Sequence, residues 1–120
     1  MTWNFPDIKL GLELEVIDFG ITKINFSNSK WGRTMDGSLS EGGREYVSKP
    51  LIGNEIPYQV EQLCNAFSQS QCEVDQTCGL HIHANFSDCE YDEMIRLYKV
   101  CKAMYPLMKN ICSSRADNKY

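Results

Sequence analysis

The segment IKLGLELEVIDFG, residues 8 to 20, alternates with period two. Leu10, Leu12, Leu14 and Val16 point one way; Gly11, Glu13 and Glu15 point the other. Such alternation predicts a strand with one apolar and one polar face. The flanking Gly and Asp limit the run, against the helix propensity of its Leu and Glu. From 21 to 51, Gly32, Gly37, Gly42 and Gly43 separate short β-prone runs, which predicts strands joined by tight turns. Over 54 to 70 the period changes. Ile56, Val60, Leu63, Cys64 and Phe67 fall on one helical face, Asn54 is placed to cap, and Pro57 suits a first turn.

Residues 72 to 77 read as a loop and 78 to 86 as a strand. SDCE, residues 87 to 90, has the form of a capping box, with the Ser87 hydroxyl accepting from the Glu90 amide. Met94, Ile95, Tyr98, Cys101, Met104 and Tyr105 then recur at spacings of three and four, predicting a second helix to about residue 112. Pro106 is expected to kink or restart it, because its ring removes a donor and crowds the preceding turn. The expected fold is one α+β domain over 1–120: an antiparallel sheet with two helices packed on its apolar face.

Bulk properties narrow the function classes. A chain of 120 residues with 42% apolar content can build one core. Its net charge of −4, without a long basic run, speaks against a nucleic-acid partner. No apolar run approaches the ~20 residues of a membrane span. The start MTWNFPDIKL lacks the charged-then-apolar grammar of a secretory signal. A cytoplasmic protein with reduced thiols is therefore expected, rather than a framework built from its six cysteines. Cys64 and Cys101 fall on apolar helix faces and read as packing residues.

The chemistry concentrates on two strands. His81 and His83, the only histidines, lie two apart and so share a strand face, about 6.5 to 7 Å apart. Leu80 and Ile82 take the other face, which is expected to be apolar and buried. Glu13 and Glu15 repeat this grammar on the first strand. Either pair alone also fits an ordinary solvated face. If both belong to one sheet, they make a site of oxygen donors with imidazole nitrogen, a mix suited to Mg²⁺ or Mn²⁺. A structural zinc site drawn from Cys72, Cys78, His81, His83 and Cys89 is the competing metal reading; it lacks the close ligand pairs of such sites.

Two fragments extend the pattern: DGSL at 36 to 39, carrying Asp36 and Ser38, and REYVSKPL at 44 to 51, carrying Arg44 and Glu45. The order G-x-E-x-E, W…DGSL, E-x-V-S-x-P-L, a helix, then C-G-x-H-x-H resembles the amidoligase family, relatives of glutamine synthetase and glutamate–cysteine ligase. The terminal SSRADNKY also resembles the Arg–Asn–Tyr segment that follows the helix in that family. The resemblance implies a glutamine-synthetase-like catalytic domain, of which this chain spans the N-terminal part. It implies ATP- and Mg-dependent (or Mn-dependent) joining of a carboxylate to an amine, with small carboxylate and amine substrates or a peptide. By motif position, Glu13, Glu15, Glu45 and His81 would bind metal. His83 and Arg44 would meet the nucleotide, and Asp36, Ser38 and Glu45 would serve catalysis.

The family's later Glu-Phe-Arg strand has no counterpart here. Arg33, Arg44, Arg96 and Arg115 are the arginines left to clamp phosphate. A sheet shortened in this way exposes an edge that invites pairing with another chain, so the expectation is a fragment, a homodimer that completes its site through that edge, or a shortened relative that no longer turns over. The alternative function is a shortened, inactive relative that binds a protein target, such as a phage-encoded anti-defence inhibitor of the anti-CRISPR type.

Overall fold

The computed structural model describes residues 9–19 and 29–112. The β-prone run at 21–28, Trp3, and the C-terminal segment with Arg115 lie outside the described residues. The chain divides into two compact units, Met1–Asn85 and Phe86–Tyr120.

The first unit is an antiparallel sheet with one helix. The alternating segment forms β1, Lys9–Ile17. The glycine-punctuated segment yields β2 (Trp31–Thr34), β3 (Gly43–Ser48) and the short β4 (Leu51–Ile52). Helix α1 spans Glu55–Ser68, and β5 spans Leu80–Ala84. β2 pairs with β3 and β3 with β1; β1 also pairs with β4 and with β5, every pair antiparallel. The second unit carries α2, Tyr91–Ile111. These five strands and two helices make the expected α+β class. No described helix is long and apolar enough to cross a membrane.

The even-numbered face of β1 carries the core. Leu12, Val16, Trp31, Tyr46, Leu51 and Leu63 form one buried cluster, and Ile56, Val60 and Phe67 of α1 pack against it. α1 is thus the helix on the sheet's apolar face. Trp31 ties helix to sheet with its indole N–H, which donates to the Gln59 carbonyl at 3.1 Å. The Tyr46 and Phe67 rings meet edge to face, 4.9 Å apart. β5 is exposed along its length, Leu80 at 60% and Ile82 at 62%, and the described core cluster contains none of its residues. This corrects the expected burial of Leu80 and Ile82: period two sets the face those side chains take, while burial depends on what packs over it.

Local details depart from the expected grammar. Asn54 sits at the N-cap position of α1 but its side chain makes no capping bond. The capping box of α2 lies three residues past Ser87. Glu90 is the N-cap, its side chain accepts from the Glu93 amide, and Glu93 accepts from the Glu90 amide at 2.9 Å. Glutamate here plays the part that serine usually plays. Pro106 lies inside α2, which runs on to Ile111.

A polar knot closes the core where β1 ends. Asp18 is 1% exposed. Its Oδ2 accepts from Arg33 Nε at 3.1 Å and from the Tyr46 hydroxyl, and Arg33 Nη2 is 3.1 Å away. A buried carboxylate is tolerated only with such partners.

A carboxylate and imidazole cluster on the polar face

Register assembles the site. In β1–β3, Glu15 lies opposite Glu45; in β1–β5, Glu13 lies opposite His81 and Gly11 opposite His83. Directly opposed residues share a face. Glu13, Glu15, Glu45, His81 and His83 therefore stand together on the side away from the core. The turn at 36–39 adds Asp36, whose Oδ1 accepts from the Ser38 amide at 2.8 Å.

Glu13 braces both histidines. Its Oε2 is 3.1 Å from His81 Nδ1, and its Oε1 is 3.1 Å from His83 Nε2. The His81 hydrogen bond, first among several causes, holds the Glu13 carboxyl below its ordinary range. An ionised carboxylate only accepts, so His81 donates from Nδ1 and, when neutral, keeps the Nε2 lone pair for a cation.

Two donor groups overlap at Glu45. Glu13, Glu45 and His81 offer ligand atoms within 4.8 Å of one another, as do Glu15, Asp36 and Glu45. Burial pushes the Glu45 carboxyl up, and the negative charges of Glu13, Asp36 and Glu15 push it further. The Ser38 hydrogen bonds pull Asp36 down. Glu15 is 7% exposed, and among the described residues no hydrogen bond or ion pair engages its carboxylate.

Of the residues expected at the site, Glu13, Glu15, Asp36, Glu45, His81 and His83 are brought together. Ser38 contributes its backbone N–H to Asp36. Arg44 is not brought in. It pairs with Val16 on the core-side face, and its Nη1 donates to the Gly43 carbonyl at 2.6 Å. Period two sends neighbours Arg44 and Glu45 to opposite faces, so this separation is already readable in the sequence. The zinc set does not assemble either; among the described residues, neither donor group contains a cysteine.

Gly79 is a site residue that sequence reasoning passed over. Its carbonyl accepts from the Glu15 amide at 3.0 Å. A Cβ there would stand 2.9 Å from Glu15 Oε2 and 3.2 Å from His81 Nε2. Both are ends of flexible side chains, so Gly79→Ala is expected to fold with a near-normal thermal midpoint while displacing two donors. Divalent-ion titration of that variant should show affinity reduced about tenfold or more, the scale of disturbed ligand orientation. Unchanged affinity would place the cation elsewhere.

No protein-family model, curated protein or solved structure matches this chain. The resemblance to amidoligases therefore rests on the motifs alone.

Proposed function

We propose that the polar face of the sheet is a divalent-cation centre serving ATP-dependent ligation of a carboxylate to an amine. The observation that carries the reading is the convergence of donors: Glu15, Asp36 and Glu45 offer oxygens within 4.8 Å of one another, and among the described residues no hydrogen bond or ion pair engages the Glu15 carboxylate. Like charges gathered this closely repel one another unless a cation answers them. Carboxylate oxygens with one imidazole nitrogen suit Mg²⁺ or Mn²⁺. The motif order adds the ligase chemistry to this metal reading.

A Mg²⁺ or Mn²⁺ held by Glu13, Glu15, Asp36, Glu45 and His81 would supply positive charge to neutralise phosphate oxygens. The chain's own residues have separable tasks. Glu15, Asp36 and Glu45 hold an all-oxygen position; His81, with Glu13 and Glu45, holds a position that includes nitrogen. Glu13 orients His81 and His83 through its two oxygens. Glu45, with its raised carboxyl, takes up a proton more readily than an ordinary glutamate. Phosphate would be met mainly through cations and His83, because Arg33 is committed to Asp18 and Arg44 stands at the neighbouring hollow, outside both donor groups.

Calorimetric titration with MgCl₂ and a non-hydrolysable ATP analogue tests the reading, repeated on Glu13→Ala/Glu15→Ala. Both carboxylates face away from the core, so the double variant should fold and lose binding. Equal binding by the variant, or no binding by the wild-type chain at millimolar concentrations, would defeat the proposal. Among the described residues β5 is exposed and pairs only with β1, which favours a second reading, a protein-binding module. Absence of metal and nucleotide binding would turn the search to protein partners.

A further inference from the structure

Beside the carboxylate cluster lies an open hollow of about 450 Å³ in the first unit, at the β1 end that bears Phe19. That size falls within the roughly 300–1,000 Å³ of small-molecule sites. The glycine pair of EGGRE shapes it. Gly42 adopts a positive φ of 85°, and a Cβ there would meet the Phe19 ring at 2.8 Å. A Cβ on Gly43 would overlap Leu39 Cβ at 2.3 Å. Two bare backbone positions thus let Phe19 and Leu39 close onto the loop.

The lining combines three chemistries. Phe19, Met35 and Leu39 supply apolar surface, with Phe19 and Met35 64% and 77% exposed. Arg44 supplies a guanidinium whose recorded bond goes to its own neighbour's carbonyl; among the described residues no carboxylate pairs with it. Asp36 and Glu41 supply carboxylates, and Asp36 belongs also to the group with Glu15 and Glu45. A guanidinium free to fork a carboxylate, acids that call for a cation, and apolar walls together match a zwitterion with a hydrophobic body.

We infer that the hollow formed by Phe19, Met35, Leu39 and Arg44 beside Asp36 binds an α-amino acid with a large apolar side chain. Arg44 takes its carboxylate, Asp36 faces its ammonium, and Phe19, Met35 and Leu39 take its side chain. The inference deepens the ligase reading, on which it rests for the purpose of binding: the amino acid is the amine substrate, held beside the cation cluster.

The test is calorimetric titration of the full chain with L-leucine, L-phenylalanine, L-alanine and 4-methylpentanoate, with and without MgCl₂. Leucine and phenylalanine should bind. Alanine lacks the hydrophobic body and 4-methylpentanoate lacks the ammonium, so each should bind at least about tenfold more weakly. Arg44→Gln should weaken leucine binding by about tenfold or more, the worth of a charge-assisted hydrogen bond. Met35→Ala, at an exposed position that cannot disturb the core, should weaken leucine and leave alanine unchanged. Leucine binding that survives in Glu13→Ala/Glu15→Ala while Mg²⁺ binding disappears supports the hollow as a separate element. Leucine binding by a wild-type chain that takes no Mg²⁺ also supports it, while sinking the ligase reading. Mg²⁺ binding without leucine or phenylalanine binding overturns the hollow alone. Equal leucine affinity in both Arg44→Gln and Met35→Ala overturns it too.

Discussion

Asp18→Ala is expected to lower the unfolding free energy by about 1.5–3 kcal/mol, the worth of hydrogen bonds to a charged group, because Asp18 is buried while Arg33 is partly exposed and can turn to water. The loss has a definite origin. Asp18 Oδ2 accepts from Arg33 Nε and from the Tyr46 hydroxyl, and Tyr46 is fully buried. Alanine removes the carboxylate that accepts from both the Arg33 guanidinium and the Tyr46 hydroxyl. Tyr46→Phe removes one donor and keeps the ring against Phe67, so it should cost only about 1–2 kcal/mol. The comparison separates the polar knot from the aromatic packing. Urea denaturation followed by far-UV circular dichroism reads both variants. A loss below about 1 kcal/mol for Asp18→Ala would mean that the pair merely balances its desolvation, as buried pairs can.

That knot was hidden from sequence reasoning. A single Asp after an alternating strand reads as a turn former, and Asp18 gains its meaning from Arg33 and Tyr46, 15 and 28 positions away. Gly79 was hidden for a related reason. Its value lies in the Cβ it lacks beside Glu15 and His81, which a sequence shows only as a generic turn residue. The shared face of Glu13, Glu15, His81 and His83 was legible, because period two requires nothing beyond the strand itself. Their meeting depended on pairing register. Glu15 opposite Glu45 and Glu13 opposite His81 are facts about neighbouring strands. A slip of one residue would have turned the histidines away from the acids.

The same distinction explains the helices. The apolar stripe of α1 was readable because Ile56, Val60, Leu63 and Phe67 recur at helical spacing. The cap of α2 was misplaced because Ser-x-x-Glu at 87 to 90 and Glu-x-x-Glu at 90 to 93 overlap. The side chains chose the second, with Glu90 and Glu93 exchanging backbone bonds. Arg44 shows a legible signal overridden by motif order. Its adjacency to Glu45 already separated the two faces.

Glu45→Gln is expected to act with opposite sign on the empty and the cation-bound protein. Without divalent ions, Glu45 faces Glu13, Asp36 and Glu15, and burial adds to their repulsion. Its folded carboxyl therefore titrates above the ordinary 4.5. A raised carboxyl contributes stability that is complete below that ordinary value and disappears as pH rises through the folded one. Glu13, held down by its histidines, runs the other way: its contribution is present above 4.5 and disappears as pH falls through its lowered value. Glutamine stays neutral at every pH, so the variant should melt higher than wild type at pH 7 in chelator and lose the decline from Glu45. With Mg²⁺ the order reverses. Glu45 is common to both donor groups, so its neutralisation weakens either position. At an effective dielectric of 20 a unit charge about 4 Å from a divalent cation is worth roughly 8 kcal/mol before desolvation offsets most of it, so affinity should fall by about a hundredfold or more. Thermal melts with chelator and with Mg²⁺, at pH 5 and pH 7, read every sign at once. A variant that melts lower than wild type in chelator would show that Glu45 supports the fold, and one that keeps its Mg²⁺ shift would remove Glu45 from the cation centre.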